Sequence, residues 1–163
     1  MLVHNRQTIG IFGGSFDPPH KGHVEISKIS IKKIKLKKIY WVITKKNPFK
    51  KKPFFKLNER IRKSKRLAKN NKKIEVKFLD KIVKSSRTIN ILKYLIKKNK
   101  NSKFYVIIGS DNLINFHKWK EHEKILNLSK LVVFSRYGYD NKSKNSPIFK
   151  KLKRKKIIYI KDC

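Results

Sequence analysis

Apolar positions in this chain come in two alternating patterns. Short runs rich in Ile, Val, Tyr and Phe fall at 8–12, 38–43, 74–79, 104–108, 131–135 and 157–160. Their nearly unbroken apolar character is that of strands buried on both faces, as in a parallel sheet. Between them the spacing becomes helical. Val24, Ile26, Ile29, Ile31 and Ile34 form one stripe, Leu57, Ile61 and Leu67 a second, and Ile89, Leu92, Leu95 and Ile96 a third. A shorter helical region covers 113–126, with a break expected near Trp119. Strands alternating with helices predict an α/β fold, a doubly wound parallel sheet covered by crossover helices. The least regular stretches, 44–55 with Pro48 and Pro53, and 138–156 with its Asn, Ser and Lys, are expected to be mobile loops beside a site.

The length, 163 residues, suits one domain. There is no internal repeat and no linker dividing it. Leu, Ile, Val and Phe together supply 52 residues, enough for a packed core despite the charge. That charge is extreme, +35, and raises the question of a polyanionic partner. Yet 38 of the 45 basic residues are Lys, beside 22 Ile, 13 Asn and a single Ala, a composition that reads as A+T-rich codon usage. The lysines lie along every expected element, with no basic face interleaved with aromatics, so nucleic acid is expected only through nonspecific charge. Cys163 is the sole cysteine, which leaves no disulfide framework or cysteine-based metal site. No apolar run approaches a membrane span, and a cytoplasmic protein without a membrane partner is expected. No particular oligomeric state is indicated.

The densest chemistry follows the first strand: Gly13-Gly14-Ser15-Phe16-Asp17-Pro18-Pro19-His20-Lys21-Gly22-His23, leading directly into a helix. Ligands of doubly wound sheets bind outside the carboxyl ends of the strands, where this loop lies. Adjacent glycines admit phosphate oxygens to backbone N–H groups, and a helix N-terminus favours an anion. His20 and His23, three residues apart, can turn both rings to one ligand. A zinc pair would need a third ligand, and His4, His117 and His122 occur in unrelated contexts. The spacing excludes GxGxxG and Walker loops.

With this loop the chain resembles the His-x-Gly-His nucleotidyltransferases. Further segments narrow the resemblance to the nicotinate-nucleotide adenylyltransferase family. They are Trp41-Val42-Ile43 with Asn47-Pro48-Phe49-Lys50, Ser86-Arg87-Thr88-Ile89-Asn90-Ile91-Leu92, Ile107-Ile108-Gly109-Ser110-Asp111-Asn112-Leu113, and Phe116-His117-Lys118-Trp119. Arg136-Tyr137-Gly138-Tyr139 matches an Arg-Pro-Gly-aromatic turn, with Tyr137 in place of Pro.

The resemblance implies a Rossmann-like nucleotidyltransferase fold and adenylyl transfer from ATP to nicotinate mononucleotide, which would be its partners, with Mg²⁺ bound with ATP and no protein metal site. It implies His20, His23 and Lys50 as catalytic residues. Gly13, Gly14, Ser15, Phe16, Gly22, Gly109, Asp111 and Arg136 would join the histidines in binding ATP, and Thr88, Trp119 and Asn47 would bind the nicotinate nucleotide. From the residues alone, Trp119 could equally be core, Asp111 a helix cap, and Lys50 one of a solvated run with Lys45, Lys46, Lys51 and Lys52. The family pattern continues into an Ile-Ser-Ser/Thr-x-x-x-Arg segment after the last strand. Here the sequence ends at Cys163, so 1–163 is expected to be a C-terminally shortened single domain with weakened ATP binding and low or absent turnover. Two other readings stand beside this one: a sister adenylyltransferase for phosphopantetheine, nicotinamide or flavin mononucleotide, and a non-catalytic basic RNA-binding protein on the same fold.

Overall fold

The computed structural model describes residues 6–46, 51–152 and 157–161. Six strands form one sheet: β1 (Gln7–Gly14), β2 (Lys38–Ile43), β3 (Ile74–Lys77), β4 (Ser102–Gly109), β5 (Lys130–Phe134) and β6 (Ile157–Ile160). Their spatial order is β3-β2-β1-β4-β5-β6, and every pairing is parallel. The register sets Phe12 beside both Trp41 and Ile107, so β1 is central.

Two apolar clusters lie on opposite faces of the sheet. Ile9 and Ile11 of β1 join Val106, Ile108, Leu131 and Val133 on one face, and Phe12 joins Trp41, Ile107, Val132 and Phe134 on the other. Alternate residues of one strand feeding two cores is what the period of two predicts for a doubly covered sheet. Helices α1 (Lys21–Ile34) and α2 (Leu57–Ala68) contribute Val24, Ile31, Leu57 and Ile61 to the second cluster. After β3 the short helix α3 (Asp80–Val83) leads into α4 (Thr88–Lys98), whose Ile89, Leu92 and Leu95 pack into the first cluster. Helix α5 (Ser110–Leu113), a 3-10 turn at Phe116–Lys118 and α6 (His122–Leu128) follow β4 and cover that same first face.

Chain order reverses between β1 and β4, so the loops leaving these neighbours diverge to opposite faces and open a crevice between them. The expected strands and the three main helices are all present. The 113–126 region differs in detail: it starts earlier, at Ser110, and the interruption at Trp119 separates the 3-10 turn from α6. The larger departure is in the expected loop 138–156, where α7 (Asp140–Lys144) and α8 (Pro147–Leu152) stand instead; its last residues, 153–156, lie outside the described residues. Buried contacts hold them. Asp140 accepts hydrogen bonds from Ser135 Oγ at 2.5 Å and from the Tyr159 hydroxyl, Ser143 Oγ meets that hydroxyl at 3.0 Å, and Ile148 is 3% exposed. A short polar helix stabilised by tertiary partners leaves little periodic signal in sequence.

Candidate nucleotide site

His20 is the N-cap of α1, and the cap has an unusual chemistry. His20 Nδ1 accepts from Gly22 N at 3.0 Å, while His23 Nδ1 accepts from His20 N at 3.0 Å. The two imidazoles thus make a reciprocal capping box, the arrangement usually built from Ser or Thr and Glu. A nitrogen that accepts from an amide carries no proton, so each ring holds its hydrogen on Nε2. The rings lie 4.1 Å apart by centroid. Two Nε2–H donors therefore stand together at the start of a 14-residue helix, where free amides and the dipole already favour negative charge.

The loop is braced from below. Phe16, in the left-handed region at φ 50°, is 2% exposed and lies 4.6 Å from the His23 ring and 5.2 Å from Trp41. Trp41 is fully buried; its Nε1 donates to Ser27 Oγ at 2.8 Å, which donates to the His23 carbonyl at 2.7 Å. The Phe16 ring is thus a support for His23, its face turned into the protein. Gly13 lies on the surface, and a Cβ built there meets nothing nearer than the Val42 oxygen at 3.9 Å. Packing does not demand glycine at 13; close approach of a ligand would.

Across the crevice, β4 ends at Gly109, the N-cap of α5. Asp111 lies within the first turn of that helix, so it is not the cap, and its Oδ2 accepts from Arg136 Nη1 at 3.0 Å. The other oxygen, Oδ1, is buried without a hydrogen-bond partner. A Cβ at Gly109 would sit 2.5 Å from that oxygen and 3.0 Å from Arg136 Cδ, so any other residue there would displace the pair. Arg136 N donates to the buried Ser110 Oγ at 2.8 Å, tying the turn after β5 to the start of α5. Gly109, Asp111 and Arg136, separate in sequence, form one constellation.

Thr88 opens α4, and Trp119 ends the 3-10 turn, both in the layer over the first cluster. The half-buried Trp119 ring lies 4.9 Å from Phe116 at 44°. Asn47 and Lys50 lie outside the described residues. Among the described residues no three His, Cys, Asp or Glu side chains gather in a metal-binding group, and no helix is long and apolar enough to cross a membrane.

Two residues that the sequence reading passed over are central to this end of the sheet. Arg60 of α2 is only 2% exposed, and Asp17 accepts from Phe54 N at 2.5 Å and Phe55 N at 2.7 Å. In a chain with 45 basic residues, a lone arginine gives no warning of burial. The available signal was its place in α2, three residues after Leu57 and one before Ile61, on the apolar stripe.

The cytidylyltransferase-like family model matches residues 11–159. A protein of Pelagibacter ubique (strain HTCC1062) named probable nicotinate-nucleotide adenylyltransferase is 43% identical over 159 residues, covering 98% of this chain and 88% of its own. One of the same name from Rhizobium meliloti (strain 1021) is 34% identical over 131 residues, 80% of this chain and 69% of its own. Among solved structures, Plasmodium falciparum nicotinic acid mononucleotide adenylyltransferase complexed with NaAD aligns with a TM-score of 0.73 at 22% identity, covering 95% of this chain and 75% of that one. At that identity the likeness concerns the fold.

Proposed function

Since the chain belongs to the cytidylyltransferase-like family, and within it to the nicotinate-nucleotide adenylyltransferases, we propose that it transfers the adenylyl group of ATP to nicotinate mononucleotide in the cytoplasm. A 5′-phosphate oxygen of the mononucleotide attacks the α-phosphorus, the bond from that phosphorus to the bridging β-phosphate oxygen breaks, and pyrophosphate leaves. The products are nicotinate adenine dinucleotide and pyrophosphate. No protein nucleophile enters the balance.

Such a reaction is limited by bringing two anions together and by charge spread over the transferring group, so positioning and electrostatics carry it. The observation that carries this reading is the paired-imidazole cap, which engages Nδ1 of both rings with the backbone and leaves their hydrogens on Nε2 at the N-terminus of α1. His20 and His23 would hold the ATP phosphates as negative charge shifts toward the leaving pyrophosphate. Gly13, Gly14, Ser15 and Gly22 give backbone access beside them. Asp111 supplies an acceptor for a ribose hydroxyl, and Arg136, more than half exposed, a cation for phosphate. Thr88 and Trp119 would receive the nicotinate, an indole face on the pyridine ring and a hydroxyl on the carboxylate. Lys50 and Asn47 keep the roles their motif implies.

Nucleotidyltransferases of this kind use a divalent cation with ATP, and Mg²⁺ is the ion expected. Both Asp17 oxygens accept backbone amides, and Asp111 Oδ2 is engaged by Arg136. Among these oxygens only Asp111 Oδ1 lacks a hydrogen-bond partner, and no three candidate ligands gather among the described residues, which fits an ion carried by phosphate oxygens and water.

Pyrophosphate release tests the reading, measured with ATP, Mg²⁺ and either nicotinate or nicotinamide mononucleotide. Release that requires the nicotinate form is expected. Equal or greater release with the nicotinamide form would replace the acceptor, and release with neither would overturn the reading.

A further inference from the structure

Among the described residues, Arg60 is the one charged side chain that is buried. Its guanidinium spends four N–H groups on backbone carbonyls. Nε donates to Phe55 O at 3.1 Å, Nη1 to Ser15 O and Thr44 O at 2.8 Å each, and Nη2 to Lys45 O at 3.0 Å. These oxygens belong to three stretches: the loop after β1, the exit from β2, and the approach to α2. Carboxylates complete the frame. Asp17 holds the amides of Phe54 and Phe55, and Asp80 Oδ2 accepts from Lys45 N at 2.9 Å. Thr44 N also donates to Gly14 O at 2.9 Å. The basic stretch after β2 is therefore fastened at both ends to the loop that bears His20 and His23.

Part of what this supplies is stability, because removing the guanidinium alone would leave four carbonyl oxygens unsatisfied. The further gain is electrostatic and local. Each of the four carbonyl oxygens, turned outward, would repel a phosphate chain, and Arg60 turns all of them inward. The same bonds fix the spacing between the histidine loop and Thr44 and Lys45 on one side, Phe54 and Phe55 on the other, the described residues that flank the lysines after β2. A lysine could not replace it, since one ammonium cannot span oxygens from three segments as a planar fork does.

We propose that Arg60 is a positioning residue of the nucleotide site, setting the histidine loop against Thr44, Lys45 and Phe55 in the arrangement that receives a polyphosphate. The inference rests on the adenylyl-transfer reading. Tripolyphosphate binding by calorimetry tests it on the full chain, together with kcat, KM for ATP and Tm, for Arg60→Lys, Arg60→Met and Asp17→Asn. Phe104→Leu is the control: Phe104 is 2% exposed in the N-terminal half of β4, away from the loops. Expected is a loss of about ten-fold in tripolyphosphate affinity for both Arg60 variants, with KM for ATP rising in parallel, as when binding geometry is lost. Asp17→Asn, at a partly exposed loop residue, tests the frame where folding is not at risk and should show a loss in the same direction.

Arg60→Lys and Asp17→Asn binding tripolyphosphate as the parent does would overturn the proposal. So would an equal loss in Phe104→Leu at matched Tm. Because polyphosphate binding needs no turnover, the two readings separate. A chain that binds but never forms dinucleotide sinks the transferase and leaves the frame, while normal turnover with an indifferent Arg60 does the reverse.

Discussion

His20 does two jobs that substitution can separate. Its Nδ1 caps α1 through Gly22 N, and the hydrogen of this exposed side chain is left on Nε2. Asparagine is a strong N-cap whose Oδ1 can accept the same amide, but it offers no donor at the Nε2 position. His20→Asn should therefore keep the Tm while lowering turnover by about 10²–10³-fold, the range for deleting one preorganised donor to developing charge. His20→Ala should lose turnover equally and about 1 kcal/mol of stability as well, read by urea unfolding, because the cap also goes. Asp140 makes a second prediction at this scale. Hydrogen bonds from Ser135 and Tyr159 hold its carboxyl below the usual carboxylate range. The native state then binds fewer protons there than the unfolded chain. The resulting stability is complete above the ordinary pKa of about 4 and drains away as pH falls through the depressed folded value. Unfolding curves should show Asp140→Asn well below the parent at pH 7, with the gap closing as the medium is acidified. A gap that widens in acid would refute the assignment. These residues differ in how they read from sequence. His20 and His23 stand in a glycine-rich loop where their chemistry is conspicuous, whereas Arg60 and Asp140 matter through partners that only folding supplies.

Helix α1 shows how an element serves the site. Its second residue is Gly22, and a Cβ there would come within 2.6 Å of His20 Cε1 and 2.8 Å of Nδ1. Alanine is the better helix former by about 0.8–1.0 kcal/mol, so packing and propensity pull in opposite directions. Gly22→Ala should leave Tm unchanged or slightly higher. Turnover should fall by about a hundred-fold, because the imidazole must swing off the cap and a displacement near 1 Å costs that much. Activity retained alongside raised Tm would mean that the ring's place on the cap is irrelevant to catalysis. Elements with strong periodicity were legible for a plain reason. The inner strands β1, β2, β4 and β5 are buried through most of their length, so their residues report one environment, the edge strands β3 and β6 only in part, and α1, α2 and α4 bury one stripe each. The two helices after β5 were not legible, since α7 carries only Asp-Asn-Lys-Ser-Lys and owes its place to Tyr159 and Ser135. Trp119 shows the limit on a site residue: its half-buried ring against Phe116 suits core and ligand face alike.

At the scale of the molecule, the strand order brings the loop 13–23 and the group Gly109, Asp111 and Arg136 to one end of the sheet at the point where the winding reverses. The net charge acts over the same dimensions. With 45 basic residues against 10 acidic, the folded chain repels itself, and the ion pairs it has, such as Lys28 with Glu25 and Lys151 with Glu123, lie at the surface where they contribute little. Compaction brings lysines closer than in the unfolded chain, so this repulsion opposes folding. Salt shortens its reach from about 10 Å at 0.1 M to about 3 Å at 1 M. Added NaCl should therefore raise Tm, against the modest effect expected for a chain of balanced charge. The same screening weakens the attraction of a polyanionic nucleotide to the crevice, so KM for ATP should climb over the same range. Opposite slopes for Tm and affinity, measured on one salt series by calorimetry and steady-state kinetics, are the expected result. If Tm fell together with affinity, local pairs and not the summed field would govern stability, and the charge would have to be treated as structure.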